Sequence, residues 1–298
     1  MIAVAIKDYY EEHIKFTASK KNAPYYESHI HDFWGASTVA DITQGKIDKF
    51  TRERQQKGMS NGTIRRIIEH MQGALNHAER ERRLTYVPKF KKPEPPEPRD
   101  EIITPKQILN LIDAAKSQHI KDFIVLMLET NQRPGAIENL KWFQIDFEMR
   151  IINFDRIKKP KSNKRVRPVA MSDVAYSVLK RLFKIKQTEF VLEYTPINTA
   201  KAIPAGCVRK AFERACIDAG LRSETGGGVS RYTLRHTALD WLDEAGVSDK
   251  DTADIAGHTN TKTTRRHYIK TKIHRQRTML NRASKLRKNS ASAKKSKS

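Results

Sequence analysis

A proline-rich segment near residue 95 constrains the architecture of this chain more than any other feature. Within residues 90–100 (FKKPEPPEPRD), four of the eleven positions are proline. Proline fixes its own φ and has no backbone N–H, so the segment is excluded from a helix interior and favours an extended connector. A chain of 298 residues is also long enough for two domains. The sequence therefore predicts a smaller domain over 1–89, a linker over 90–100 and a larger domain over 101–284.

The residues before the linker carry helical periodicity. Val4–Ser19 is amphipathic, and Thr43 is the expected start of a second helix that Gly58 ends. Ser60 is the expected N-cap of a long helix with an apolar stripe at three- and four-residue spacing. We interpret this stripe as packing surface: Ile64, Ile67, Ile68, Met71 and Leu75.

The larger domain begins with a strong helix-start signal, Thr104-Pro105-Lys106-Gln107. Helices are predicted from there to about residue 131 and again over 136–140. The periodicity then changes to that of short strands over 142–145, 151–154 and 165–169. Ser172 restarts helix, which dominates to about residue 284. The predicted fold class is mainly α with one small antiparallel β-sheet.

The charge balance points to a polyanionic partner. The chain has 57 Lys and Arg against 34 Asp and Glu, a formal net charge of +23. Residues 101–283 carry most of the excess, with 33 basic and 20 acidic residues, and six of the ten residues over 158–167 are basic. The last stretch, 285–298, is Lys/Ser-rich and predicted to be a disordered basic tail. Nucleic acid is the partner that such a distribution favours.

Other features exclude several classes of protein. The only two cysteines, Cys207 and Cys216, exclude a disulfide scaffold and a cysteine-based zinc site, and fit a reducing cytoplasm. No apolar run approaches the roughly 18 to 20 residues that span a bilayer, and acidic residues come too early for a secretion signal. We therefore expect a cytoplasmic protein without a membrane partner.

Four motifs carry the chemistry, and together they resemble the tyrosine recombinase (phage-type integrase) family. In chain order they are ETNQRPGAIENLKW over 129–142, KKPKSNKRVRPVAMS over 158–172, RYTLRHT over 231–237 and IAGHTNTKTTRRHY over 255–268. Each motif alone is a weak signal, but four in this order and spacing are specific. The resemblance covers the larger domain and, more loosely, the helical domain before it.

The resemblance implies a two-domain DNA clamp, in which a helical (SAM-like) core-binding domain and a catalytic domain of the DNA breaking-rejoining type close on the duplex. Arg133 and Arg235 match the family arginines that hold the scissile phosphate. Arginine suits this task because its planar fork matches a phosphate and keeps its charge. Tyr268 matches the nucleophile that forms a 3′-phosphotyrosyl link and stores the phosphodiester energy.

Two further matches concern proton transfer and phosphate contact. His258 matches the later His/Trp position of the family, where a neutral imidazole bonds the phosphate or the nucleophile. Lys161 aligns best with the lysine that protonates the leaving oxygen, because PKSNKR resembles the family's PKTGKR. Lys159 and Lys164 stay open as alternatives.

The sequence departs from the family pattern at two positions. Ala136 stands where an acidic residue three positions after the first arginine is common, and that residue is usually a supporting one. Tyr232 stands where the box before Arg235 usually has histidine. Because a phenol has a pKa of about 10, Tyr232 is a poorer proton shuttle than histidine. His236 is expected to be a structural hydrogen-bonding residue.

The implied function is site-specific integration or excision of a phage or mobile element, through a Holliday junction. The implied partners are double-stranded DNA, three further copies of the chain in a tetramer, and an accessory directionality factor. No metal or nucleotide cofactor is implied. Two alternatives stay open at this point: a type IB topoisomerase-like enzyme and a catalytically silent DNA-binding protein.

Overall fold

The structure is a computed structural model that describes residues 1–95, 101–154, 168–196, 199–225 and 227–257. The chain divides into two compact units, Met1–Pro98 and Arg99–Ser298, and the division falls within the proline-rich stretch. Each unit has its own hydrophobic core. None of the helices in the described part of the chain has the length and apolar character that crossing a membrane requires.

The N-terminal unit is helical. Its four α-helices are α1 (Ile2–Glu12), α2 (Ala23–Trp34), α3 (Gln44–Gln56) and α4 (Asn61–Arg80). The predicted caps are confirmed, since the Thr43 and Ser60 side chains accept backbone N–H bonds at the starts of α3 and α4. The predicted α4 stripe is fully buried in the core of this unit, where Trp34 and Phe50 pack with ring centroids 4.6 Å apart.

The prediction of one helix over Val4–Ser19 is wrong in its second half. The α-helix ends at Glu12, and two short 3-10 helices follow over Ile14–Phe16 and Ala18–Lys21. The Thr17 side chain accepts from Ser19 N and donates to Ile14 O, a local alternative to continued α-helix. Phe16 is 76% exposed, so it does not belong to the buried face.

The second unit is built around seven α-helices in its described part. They are α5 (Pro105–Ala114), α6 (Gln118–Thr130), α7 (Pro134–Glu138), α8 (Asp173–Ile185), α9 (Arg209–Asp218), α10 (Arg231–Glu244) and α11 (Asp249–Ile255). The predicted capping box of Thr104 and Gln107 is confirmed at α5, and Ser172 caps α8. Helices α6 and α10 pack against each other at the centre of this unit.

The predicted antiparallel sheet is present but shorter. Its strands are β1 (Ile145–Asp146), β2 (Ile151–Ile152) and β3 (Val169–Ala170), in the order β1-β2-β3, with Ile152 opposite both Ile145 and Val169. Residues 142–144 form a 3-10 helix instead of strand, because the Gln144 side chain caps its own turn by accepting from Lys141 N at 2.9 Å. Residues 165–167 of the predicted third strand lie outside the described residues.

A second antiparallel sheet was not predicted. It pairs β4 (Glu193–Tyr194) with β5 (Ile203–Pro204). These two-residue strands are too short for a period-2 pattern to be visible in sequence. The fold class is otherwise as predicted, mainly α with small antiparallel sheets.

Candidate active site

Arg133 lies where α6 gives way to α7. Helix α6 ends at Thr130, and Asn131 caps it in the left-handed conformation with φ 55°. After this turn, Arg133 is the extended N-cap of α7, with Pro134 as the first residue of that helix. Asn131 is buried, whereas Arg133 is exposed and available to a ligand.

Arg235 joins that turn to the end of α11. It lies on α10 and is only 4% exposed. Its Nη1 donates to the backbone carbonyl of Asn131, and its Nη2 donates to the carbonyl of Ala256 at 2.6 Å. A buried guanidinium needs such acceptors, because an uncompensated buried charge is strongly unfavourable. Arg235 thereby brings together the residue two before Arg133 and the residue two before His258.

Gln132 makes a second link between the same two segments. Its Nε2 donates to the carbonyl of Ile255 at 2.7 Å and to that of Thr130 at 3.2 Å. The turn before Arg133 is therefore bonded to the last turn of α11 independently of Arg235. The sequence did not single out Gln132; its position next to an arginine at a helix start was the only available signal.

Tyr232 lies one turn before Arg235 on α10 and is 52% exposed. Residues three apart on a helix are neighbours on its surface, so the exposed Tyr232 and the buried Arg235 are adjacent positions on α10. His236 is half-buried on the same helix. The roles predicted for these two residues stay predictions.

The remaining predicted catalytic residues lie outside the described residues: Lys161 with its alternatives Lys159 and Lys164, His258 and Tyr268. For the lysines, the two strands on either side are described. Ser172, just after β3, donates to a carboxylate oxygen of Glu129 near the end of α6. This bond attaches the base of the β2–β3 connection to the helix that leads to Arg133.

A buried ion pair that the sequence did not reveal joins α7 to α10. Glu138, the last residue of α7, accepts from the guanidinium of Arg231, the first residue of α10. The same Glu138 oxygen accepts from Val208 N at 3.2 Å. The only hint in the sequence was that Glu138 lies between two apolar residues, Ile137 and Leu140. The structure shows that both are buried.

A model of the phage integrase family matches residues 101–275. The chain belongs to the phage integrase family. The resemblance seen in the four motifs is thus confirmed, and the matched segment contains every residue predicted as catalytic, from Arg133 to Tyr268.

Two curated relatives support the same assignment. The integrase of Salmonella phage P22 is 27% identical over 207 residues, which cover 67% of this chain and 52% of the phage protein. A XerC-like tyrosine recombinase of Caldanaerobacter subterraneus subsp. tengcongensis is 23% identical over 289 residues, covering 81% of this chain and 72% of that protein. The match therefore spans about half the length of the P22 integrase.

Solved structures of the family share the fold. The Tn1549 transposon integrase in complex with transposon right end DNA aligns with a TM-score of 0.74 at 18% identity, covering 95% of this chain and 99% of that chain. A lambda integrase tetramer bound to a Holliday junction aligns with a TM-score of 0.68 at 20% identity, covering 87% of this chain and 77% of that chain. The shared fold therefore extends over both units.

Proposed function

We propose that this chain is a site-specific recombinase that cleaves and rejoins DNA through a covalent link between Tyr268 and a 3′ phosphate. The observation that carries the proposal is the position of Arg235, whose guanidinium bonds the carbonyl of Asn131, two positions before Arg133 in the sequence, and that of Ala256, two positions before His258 in the sequence. Arg235 therefore links the turn that leads to Arg133 to the residue that follows α11.

In the proposed cleavage step, the phenol of Tyr268 loses its proton to water, and its oxygen bonds to phosphorus as the bond from phosphorus to the 5′ oxygen breaks. Negative charge accumulates on the non-bridging oxygens, where Arg133 and Arg235 stabilise it. Lys161 delivers a proton to the leaving 5′ oxygen. Rejoining reverses these steps with the 5′ hydroxyl of another strand, so the covalent link supplies the energy.

His258 and Tyr232 have supporting roles in this proposal. The imidazole of His258 bonds the phosphate or the nucleophile oxygen as a neutral group. Tyr232 is exposed beside the buried Arg235 and contributes a hydroxyl hydrogen bond to a phosphate oxygen.

The N-terminal unit offers a basic cleft for the DNA backbone. A surface cavity of about 770 Å³ opens between the start of α4 and the start of α2. Arg66 lines it and is 71% exposed on its side chain, with a 3.7 Å pair to Glu69, whereas Arg65 bonds Glu69 at 3.1 Å and also donates to the Pro93 carbonyl. Exposed cations of this kind bind phosphate and position a protein on DNA without reading its sequence.

The assembly we propose is a homo-tetramer on two duplexes, exchanging strands through a Holliday junction. The lambda integrase tetramer bound to a Holliday junction supports it, because that protein has the same fold. The P22 and Tn1549 relatives support a phage or transposon as the element that is moved. An accessory directionality factor completes the proposed set of partners.

A nicked suicide substrate tests the proposed function. Duplex DNA from the junctions of the element that carries this gene is nicked close to each candidate cleavage position, so that the released fragment diffuses away and the covalent complex accumulates. We expect a protein–DNA adduct on a denaturing gel for the wild type and none for Tyr268→Phe, which lacks the attacking oxygen.

Two controls make the result decisive. An adduct that persists in Tyr268→Phe would exclude Tyr268 as the nucleophile. The absence of any adduct in the wild type, on DNA that the protein binds in a gel shift, would favour the catalytically silent DNA-binding protein. Relaxation of a supercoiled plasmid that lacks the junctions, without strand exchange between two duplexes that carry them, would favour the topoisomerase-like alternative.

A further inference from the structure

Helix α7 carries Arg133 at its N-cap, yet it is only five residues long. A single turn of helix is unstable alone, since helix nucleation fixes several residues for one hydrogen bond. Contacts with the rest of the unit must therefore set the direction of α7. The strongest polar contact at its far end is made by Glu138, which is 7% exposed.

Glu138 is bonded to two other elements at once. Its Oε1 accepts from the Arg231 guanidinium at the start of α10 and from the Val208 backbone N–H just before α9. Arg231 is itself mostly buried, with 18% of its side chain exposed, and contacts Cys207 Sγ at 3.8 Å. Two opposite charges are therefore removed from water at the point where α7, α9 and α10 meet.

A buried ion pair of this kind is weak evidence for stability, because the loss of hydration offsets much of the attraction. Its better-attested effect is to fix one arrangement, since any other arrangement leaves a buried charge unpaired. Arg231 is four residues before Arg235 on α10, and Glu138 is five residues after Arg133 along α7. The pair thus connects the two elements that carry the two phosphate-binding arginines.

We propose that Glu138 and Arg231 are positioning residues, which fix α7 against α10 and thereby hold Arg133 in register with Arg235. The predicted effect of these residues on DNA cleavage rests on the proposed function. Its structural part, the setting of α7 against α10, stands on the geometry of the ion pair alone. Neither residue contacts DNA in this proposal; both act through the arginines.

A second ion pair in the same unit, between a buried carboxylate and a more exposed arginine, provides a control. Asp122 on α6 is buried and accepts from Arg181 on α8. Like the Glu138–Arg231 pair, this pair joins a buried carboxylate to an arginine, although the Arg181 side chain is 43% exposed against 18% for Arg231, and it links neither α7 nor α10. Asp122→Asn should therefore reproduce the general destabilisation caused by neutralising a buried, arginine-paired carboxylate without altering the placement of Arg133.

The first experiment measures the rate of adduct formation at saturating DNA together with DNA affinity. We expect Glu138→Gln and Arg231→Gln each to slow the rate by about 10²-fold, the effect of misplacing a catalytic group by about 1 Å. DNA affinity should change by less than about threefold, because no group that contacts DNA is lost. Arg231→Lys should recover most of the rate, since an ammonium can still pair with Glu138. Asp122→Asn should stay within about threefold of the wild type.

The second experiment needs no activity. Hydrogen exchange of the full chain without DNA is followed in peptides covering 134–140, 206–210 and 229–236. We expect faster exchange in all three for Glu138→Gln and in none of them for Asp122→Asn, measured at a temperature where both variants stay folded.

The outcomes separate the two proposals. Unchanged exchange in Glu138→Gln, or a cleavage rate equal to that of Asp122→Asn, would overturn the positioning role. If Glu138→Gln fails to fold, the comparison of Arg231→Gln with Arg231→Lys decides in its place. If the wild type forms no adduct, the proposed function fails, and the exchange measurement alone decides whether the pair positions α7.

Discussion

The Arg235 guanidinium donates to the backbone carbonyl of Ala256 at 2.6 Å, from a site that is only 4% exposed. Its other terminal nitrogen donates to the Asn131 carbonyl. A side chain expected to hold a phosphate is therefore also the bridge between the two segments that lead to Arg133 and His258. Binding and organisation of the site depend on the same guanidinium.

Arg235→Lys should remove both functions while keeping the positive charge. Lysine has one ammonium group and cannot span two carbonyls and a phosphate with a planar fork. We expect adduct formation to slow by roughly 10²- to 10³-fold, as for loss of one group that stabilises the transition state. Arg209→Lys, on the exposed face of α9, is the control. Single-turnover cleavage within about threefold of wild type in Arg235→Lys would contradict the bridging role.

The turn before Arg133 should depend on the left-handed conformation of Asn131. For a residue other than Asn or Gly, the left-handed backbone conformation costs roughly 1–2 kcal/mol of free energy. The Asn131 Oδ1 atom is buried and has no hydrogen-bond partner among the described residues, so its loss should matter little. We expect Asn131→Ala to lower the free energy of unfolding by about 1 kcal/mol more than Asn131→Gly does. Urea unfolding of both variants measures this difference. Equal free energies of unfolding would contradict a dependence on the left-handed conformation at residue 131.

The second unit should lose stability in mild acid through His119. Burial lowers the pKa of His119 below its ordinary value, against the opposing effect of the Asp122 carboxylate. His119 also stacks on Tyr194 with ring centroids 5.0 Å apart. Because the unfolded chain takes up the proton first, stability is complete above the unfolded pKa of about 6.5 and is lost as pH falls towards the lower folded value.

The comparison with His119→Gln isolates that effect. We expect the difference in unfolding free energy between wild type and His119→Gln to be constant above about pH 7 and to shrink between about pH 6.5 and 5. Other groups titrate equally in both proteins and cancel in the difference. A difference that stays flat to pH 5 would exclude a lowered pKa at this residue.

The exposed Arg66 should contribute to DNA affinity through phosphate contact alone. Removing one phosphate contact reduces the slope of log affinity against log salt by about 1. We expect Arg66→Ala to show this change equally on specific and unrelated DNA, measured by fluorescence anisotropy at several salt concentrations. Lys49→Ala, an exposed cation on α3 in a similar pair with a nearby glutamate, is the control. A loss of affinity confined to specific DNA would instead indicate that Arg66 contacts bases.

The parts of the fold that could be predicted from the sequence are those that depend on interactions between residues a few positions apart. Thr104 and Gln107 bond each other across three positions, and Ser172 accepts from Ala175 N at 3.1 Å. Such caps depend on local backbone geometry, so their residue types are sufficient to recognise them. The 3-10 helix over 142–144 was not predicted from the sequence. The Lys141 backbone N–H bonds the Gln144 side chain there, whereas the apolar periodicity implied a strand with backbone hydrogen bonds to a neighbouring strand.

The sequence by itself determined the helical fold class, the division near the prolines and the family. Apolar periodicity indicates the first, the fixed φ of proline the second and the order of the four motifs the third, and each is a property of residues read in chain order. The tertiary structure alone decided what the arginines contact. Arg235 and Asn131 are 104 residues apart, and Arg231 and Glu138 are 93 apart. No local pattern encodes such pairs; they form only when packing of the helices buries a charge and brings acceptors from distant parts of the sequence within its reach.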